Sequence, residues 1–308
     1  MELLIYLILF LLVLIVSSTT NKLLPFLPLP LVQILLGIVI GLFLPNTDFH
    51  LNTELFLALV IGPLLFRESE EADITAILKH WRIIVYLIFP VIFISTLSLG
   101  GLAHLLWLSL PLAACLAVGA ALGPTDLVAF ASLSERFSFP KRVSNILKGE
   151  GLLNDASGLV AFQVALTAWT TGAFSLGQAS SSLIFSILGG FLIGFLTAMT
   201  NRFLHSFLLS VRATDIASEL LLELSLPLVT FFLAEEVHVS GIIAVVVAGI
   251  LKASRFKKIT LLEAQVDTVT ETVWHTVNFM LNGSVFVILG MELEMIAEPI
   301  LTNPIYNP

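Results

Sequence analysis

Three polar residues interrupt an apolar stretch near the middle of the chain. They are Glu150, Asn154 and Asp155, and the residues that follow, 156–169, carry no charge. A charge at the centre of a lipid bilayer costs at least about 2.5–3.5 kcal/mol, so charged residues at that depth usually belong to a functional site. On a helix, positions 150 and 154 are one turn apart and position 155 is their neighbour. The three side chains can therefore approach the same region of a helix bundle.

A second interruption of the apolar sequence lies N-terminal to the first, about one helix length earlier in the chain. Gly123-Pro124 stands inside the apolar run 108–133, and Thr125 and Asp126 follow it. Proline removes a backbone donor and clashes with the preceding turn, so we predict a broken helix there. Free carbonyl groups at membrane depth are tolerated only where they are buried in protein or line a wet cavity.

Each interruption has a simpler interpretation that the sequence leaves open. Asp126 could do no more than cap the helix that follows it. Glu150, which stands close to Lys148, could extend to the cytoplasmic surface.

Carboxylates, an amide, a hydroxyl and free carbonyls form a set of hard oxygen ligands, which suits a small monovalent cation. Desolvation raises the pKa of a carboxyl group and a nearby cation lowers it, so a proton and a cation compete for such a group. One site with exclusive occupancy, open alternately to each side, would exchange cations for protons. We predict ion and proton binding by Asp155, Asn154, Glu150, Asp126 and Thr125, with Asp155, Asp126 and Thr125 as the cation ligands.

The composition indicates a polytopic all-α membrane protein. Hydrophobic residues make up 57% of the 308 residues and charged residues 12%, whereas soluble domains carry about 25% charged residues. The six histidines stand at predicted span ends or in connections, and we interpret them as interfacial. No catalytic constellation or phosphate loop stands out, so we expect neither an enzyme nor a cofactor, and no nucleic-acid partner.

The chain contains about ten apolar stretches that could cross a bilayer core about 30 Å thick. The first lacks a basic n-region and a cleavage site, so we interpret it as a retained span. Connection 259–275 has apolar residues at helical spacing, which predicts an amphipathic helix on the membrane surface between the ninth and tenth spans. The predicted spans are 2–18, 27–45, 51–66, 83–103, 108–133, 150–170, 181–201, 216–234, 238–251 and 276–296.

Orientation follows from the basic residues. All 14 Lys and Arg residues fall in odd-numbered connections between these spans. Connections on the cytoplasmic side carry the excess of Lys and Arg. We therefore expect odd connections in the cytoplasm, an external N-terminus and a location in the cytoplasmic membrane.

Two pairs of glycines have the spacing of closely packed membrane helices. They are Gly37-xxx-Gly41 in the second span and Gly190-xxx-Gly194 in the seventh. Such pairs serve packing within one chain or contact between two copies, and the sequence leaves a homodimer open.

The chain resembles the monovalent cation:proton antiporters, specifically the bacterial sodium/proton exchanger branch that carries an Asn-Asp pair. The family's Gly-Glu-Ser-x-x-Asn-Asp motif corresponds to Gly149-Glu150-Gly151-Leu152-Leu153-Asn154-Asp155, and its Thr-Asp-Pro motif to Thr125-Asp126-Leu127. Supporting matches are at 63–66, 238–244 and 282–290.

The resemblance implies a role for each matched residue. Asp155 would carry the ion and the proton in turn, and Asn154 would hold the neighbouring broken helices together. Glu150 would be the motif glutamate, and Thr125 with Asp126 would form the unwound crossing. An Asn-Asp pair implies electroneutral one-for-one exchange of sodium, or of potassium or lithium, for a proton.

The chain departs from the family pattern at three motif positions. Gly151 replaces a serine whose hydroxyl can act as a ligand. Leu127 replaces the proline after Thr-Asp. Glu68 stands two positions after Phe66, where the family often has its acid directly after the phenylalanine.

The family fold consists of two inverted repeats. Residues 1–201 correspond to the first six-helix repeat plus a linking helix, with the site helices at 108–133 and 150–170. Residues 216–296 correspond to an incomplete second repeat, so we expect a C-terminally truncated antiporter. The alternative is a non-transporting remnant or regulatory membrane subunit of such an antiporter.

Overall fold

The computed structural model describes residues 2–24, 26–43, 52–72, 74–124, 139–171, 176–211, 215–253 and 261–302. Within these ranges the chain forms helices and no strand, which confirms the predicted all-α class. The helices are α1 (Glu2–Leu23), α2 (Leu29–Phe43), α3 (Thr53–Phe56), a π-helical turn (Leu57–Ile61), α4 (Gly62–Glu71), α5 (Ile74–Leu106), α6 (Leu112–Leu122), α7 (Lys141–Thr171), α8 (Leu176–Ser210), α9 (Ile216–Glu236), α10 (Gly241–Ala253) and α11 (Leu261–Thr302).

The chain divides into two compact units, residues 1–64 with 259–308 and residues 65–258. In the first unit, α2 packs chiefly on α11, and α1 contacts both. In the second, α5, α6 and α7 pack on one another, and so do α8, α9 and α10. The predicted repeats are defined by internal symmetry and not by contacts, so they stay a prediction.

The second unit has an apolar cluster in each of its helix groups. Between α5 and α7, Ile84 and Ile92 are buried against Ile146 and Ala161. Where α8, α9 and α10 meet, the buried residues Ala234, Val239 and Ala244 pack against Ile193. Large apolar side chains such as Phe191 on α8 are exposed, which is what helices that face lipid require.

At least one glycine of each predicted pair contributes to packing inside the chain. Gly37 of α2 lies against the backbone of Val287 and Gly290 of α11. A Cβ on Gly194 of α8 would overlap the carbonyl oxygen of Ala244 of α10. The intrachain interpretation is therefore confirmed for these glycines, and their backbones approach as small residues allow.

The predicted surface helix at 259–275 stays a prediction, but the structure does not separate residues 261–275 from the predicted span 276–296. Both segments belong to the continuous helix α11, Leu261–Thr302. Its sequence contains no Gly or Pro before Gly283, so nothing local ends the helix at residue 275.

Some described helices have the length and apolarity to cross a membrane. They are Phe185–Ser210, Ile216–Glu236 and Thr268–Leu293. Shorter apolar helices cover Ile8–Leu23, Leu29–Leu42, Pro90–Leu106, Leu112–Leu122 and Gly241–Ala253. The total of ten spans stays a prediction.

The N-terminus of α9 carries a pH-dependent cap. Asp215 Oδ1 accepts a hydrogen bond of 2.8 Å from the backbone N–H of Ser218. The side chain and then the backbone of Ser218, by hydrogen bonding to the carboxylate, lower the pKa of Asp215 below its usual value of 3.8. The ionised cap therefore stabilises α9 at neutral pH.

We expect Asp215→Ala to lower the thermal unfolding temperature at neutral pH. Because the pKa of Asp215 is lowered in the folded state, its charge contribution is complete above the unfolded-state pKa and is lost as the pH falls through the folded-state pKa. Asp215→Asn, the control, keeps an acceptor oxygen and should lose only the pH-dependent part. Equal unfolding temperatures for Asp215→Ala and the parent protein at neutral pH would contradict this role.

Candidate functional site

Helix α7 contains the three polar residues that interrupt the apolar run. It begins after Pro140, whose carbonyl oxygen accepts hydrogen bonds from the backbone N–H groups of Val143 and Ser144. The described side chains among the three, Glu150 and Asn154, are 5% and 0% exposed. Glu150 therefore does not extend to the surface as the simpler interpretation supposed.

Asp155 occupies the next position of α7, and its backbone continues the helix. The side chain of Asp155 lies outside what the structure describes. On the same turn, Ser157 Oγ donates a 3.0 Å hydrogen bond to the carbonyl oxygen of Asn154. The helix is thus regular through the predicted ion-carrying position.

Helix α6 ends at the position where the sequence predicts a break. The helix ends at Leu122, and Gly123-Pro124 follow it outside regular structure. Thr125 and Asp126 belong to residues 125–138, which lie outside the described residues.

Pro124 contacts α7 one turn beyond Asn154. A Cβ on Gly158 would overlap Cγ of the Pro124 ring and lie 3.3 Å from its Cδ. Pro124 is therefore packed against the turn of α7 that follows Asn154, within the second unit.

Helix α5 adds hydroxyl groups near this contact that the sequence did not single out. A Cβ on Gly123 would lie 2.8 Å from Ser95 Oγ, and that hydroxyl donates to the carbonyl oxygen of Ile92. Thr96, the next residue, has a buried Oγ1 with no hydrogen-bond partner among the described residues. Serine and threonine within an apolar helix do not by themselves indicate a functional site, because such hydroxyls usually hydrogen-bond to a carbonyl group of their own helix.

A second polar cluster links α4, α9 and α10. Lys252 Nζ lies 2.8 Å from Glu223 and 3.1 Å from Glu70, and 5.4 Å from the centroid of the Phe66 ring. Arg67 pairs with Glu70 at 3.0 Å and with Glu71 at 2.7 Å. The lysine and its two carboxylates are each about 15% exposed, so these pairs are poorly screened by water.

His205 of α8 is also paired, while its interpretation as an interfacial residue stays a prediction. Its Nε2 lies 3.1 Å from Glu219 of α9, and the two residues are 8% and 9% exposed. One sequence feature could have indicated this buried pair: two acidic residues, Glu219 and Glu223, stand one turn apart within the predicted span 216–234.

A small cavity adjoins both pairs. Its volume is about 30 Å³, room for one or two waters. Its lining includes the polar residues Asn201, Arg202, His205 and Lys252. Among the described residues, no group of three His, Cys, Asp or Glu side chains could hold a metal ion.

We expect Lys252→Met to destabilise the protein. The change leaves Glu70 and Glu223 without their shared cation, and losing one partner of a buried ion pair costs about 3 kcal/mol or more. Thermal unfolding in detergent measures the loss. Lys22→Met, at an exposed position on α1, is the control and should have little effect. Adding Glu223→Gln to Lys252→Met should recover part of the loss; a loss no larger than that of the control would contradict the role of Lys252.

Comparisons with known proteins agree with this fold. The family described as "Sodium/hydrogen exchanger, transmembrane" matches residues 7–305. The chain is 37% identical over 288 residues to a sodium, potassium, lithium and rubidium/H⁺ antiporter of Bacillus subtilis (strain 168), covering 94% of this chain and 43% of that protein. It is 31% identical over 316 residues to an uncharacterized Na⁺/H⁺ exchanger of Escherichia coli (strain K12), covering 100% of this chain and 56% of that protein. The chain thus spans about half the length of the curated relatives it matches.

The fold also matches a solved antiporter. The sodium proton antiporter MjNhaP1 from Methanocaldococcus jannaschii superimposes with a TM-score of 0.71 at 21% identity, covering 94% of this chain and 71% of that one. The structural match extends over nearly the whole chain, and the family match runs almost from end to end. The chain belongs to the sodium/hydrogen exchanger family.

Proposed function

We propose that this protein exchanges a monovalent cation for a proton across the cytoplasmic membrane, and that Asp155 binds the two in turn. The observation that carries the proposal is the burial of Glu150 and Asn154 on the helix that holds Asp155. Polar groups are costly in such surroundings, so their presence on one turn of a membrane helix supports a functional site. Membership of the sodium/hydrogen exchanger family supports ions and protons as the cargo.

The cation ligands in this proposal are oxygen atoms of Asp155, Asp126 and Thr125. The contact of Pro124 with Gly158 supports it, because Thr125 and Asp126 directly follow Pro124 in the chain. Sodium is the first candidate substrate, with potassium and lithium as alternatives. The Bacillus subtilis relative is named for sodium, potassium, lithium and rubidium, and hard oxygen ligands accommodate all four ions.

Charge counting favours electroneutral exchange. Asn154 is an amide and does not ionise, so Asp155 is the member of the pair that can release a proton. If one proton leaves for each monovalent cation that binds, the site carries the same charge in both directions. Alternating access then couples the two gradients.

We expect Asp155→Asn to abolish sodium-driven proton movement, because the amide has no proton to exchange. Asp155→Glu should keep part of the activity with a changed apparent affinity for sodium. Proteoliposomes with a trapped pH dye provide the measurement. Glu54→Gln, which removes an exposed acid from α3, is the matched control and should leave exchange unchanged. If Asp155→Asn still moved protons after sodium was added, the residue that carries the ion and the proton would be Asp126 or Glu150.

We also propose the orientation that the basic residues predict. The N-terminus and connection 171–180 would face outside, with 134–148 and 252–258 in the cytoplasm. The chain's one cysteine, Cys115, is fully buried, so it interferes little with labelling of introduced thiols.

Single cysteines at Gln178 and Ser138 test this orientation. An impermeant thiol reagent added to intact cells should label the first and spare the second. Inside-out vesicles should give the reverse pattern. Labelling of both positions from one side would contradict the orientation.

A further inference from the structure

Helices α8 and α9 meet through a row of polar side chains. On α8 the row consists of Thr197, Asn201 and His205, which stand four residues apart and so share one face of the helix. Thr230 Oγ1 of α9 donates a 3.0 Å hydrogen bond to Thr197 Oγ1, and Asn201 Nδ2 donates one of 3.4 Å to the carbonyl oxygen of Leu222. Hydrogen bonds between side chains of neighbouring membrane helices hold those helices together.

His205 is the member of this row that can gain a charge. Its Nε2 lies 3.1 Å from a carboxylate oxygen of Glu219 on α9, and both residues are buried. Histidine ordinarily titrates near neutral pH, whereas Lys, Arg and Glu ordinarily keep one charge there. A neutral ring can already donate one hydrogen bond to Glu219, and a protonated ring makes that bond about twice as strong. A proton on His205 would therefore strengthen the contact of α8 with α9.

The charged groups around His205 carry one net negative charge when its ring is neutral. His205 and Lys252 line the same small cavity. Among the described residues, ion pairs connect these two to three carboxylates and one further basic group, all largely buried: Glu70, Glu219, Glu223 and Arg67. The exposed residues Glu71 and Arg202 add one charge of each sign, so they leave the balance unchanged. A proton on His205 would make the whole set neutral, which is favourable away from water.

The same surroundings favour a proton over a metal cation. Arg202 and Lys252 both line the cavity, and their positive charges repel a second cation. Sodium also prefers several oxygen ligands, whereas a proton needs only a ring nitrogen. We propose that His205 and Glu219 form a second proton-binding site, at which sodium does not compete and whose proton strengthens the packing of α8 on α9. The inference does not depend on exchange at Asp155.

Thermal unfolding in detergent between about pH 5 and about pH 8 tests the site. His205→Gln keeps a side-chain N–H that can donate to Glu219, but it takes up no proton. At the acidic end the parent protein should unfold about 2–4 °C above this variant, because the pair then holds its proton. A proton that binds the folded state more tightly stabilises it at low pH, and that contribution is lost as the pH rises through the titration of His205. The difference should therefore decline toward pH 8.

Two controls separate this proton from other effects. His275→Gln makes the same substitution at an exposed position on α11, and it should follow the parent protein at every pH. Choline replaces sodium at equal ionic strength in a second series. The difference between the parent and His205→Gln should be the same in both salts. Because that difference subtracts sodium binding elsewhere in the chain, it is independent of the proposed exchange.

Glu219→Gln provides a second route to the same result, which still applies if His205→Gln fails to fold. It removes the negative charge and keeps an acceptor oxygen, so it should also lose the pH-dependent part. The double variant should lose little more of that part than either single variant, since the two residues act as one pair. A difference from the parent that stays constant or grows as the pH rises would overturn the inference, and so would a difference that depends on sodium. Failure of the parent to exchange sodium for protons would contradict only the proposed function.

Discussion

The cost of keeping polar groups away from water governs this structure. Glu150 and Asn154 are buried on a helix of the apolar second unit. A buried carboxyl group must be neutral, paired or bound to a cation, since an isolated charge there is strongly disfavoured. In such surroundings desolvation disfavours a bare carboxylate, so the proposed role of Asp155 requires that it bind either a proton or a cation at all times. Exclusive occupancy is then a consequence of desolvation, and it is the condition that exchange requires.

Packing at residues without side chains brings α5, α6 and α7 into close contact. Gly119 lets α5 and α6 touch through their backbones, and Gly158 admits Pro124 against α7. The second helix group has a similar contact, where Gly194 meets α10. Membrane helices gain little from burying apolar surface against one another, so close van der Waals contact is their main cohesion. The close packing in both groups of three helices thus has one cause.

The sequence predicted the features that depend on neighbouring residues. Proline chemistry placed the break after α6 at Gly123-Pro124, and the polar residues on α7 were identified by their cost in lipid. Pairs distant in sequence were missed, because no local pattern joins Lys252 to Glu70 and Glu223, or His205 to Glu219. The continuity of α11 was missed because its polar half resembles a surface helix. The Pro124–Gly158 contact could be identified only from the folded structure, since the two residue types show only that a close approach is allowed there.

The central claim is that a cation and a proton compete for one carboxyl group. Isothermal titration of the protein with sodium, in buffers of different ionisation enthalpy, counts the protons released on binding. The account predicts about one proton per sodium ion where the site is protonated, declining toward zero as rising pH removes that proton beforehand. Sodium binding with no proton release across the whole pH range would contradict it.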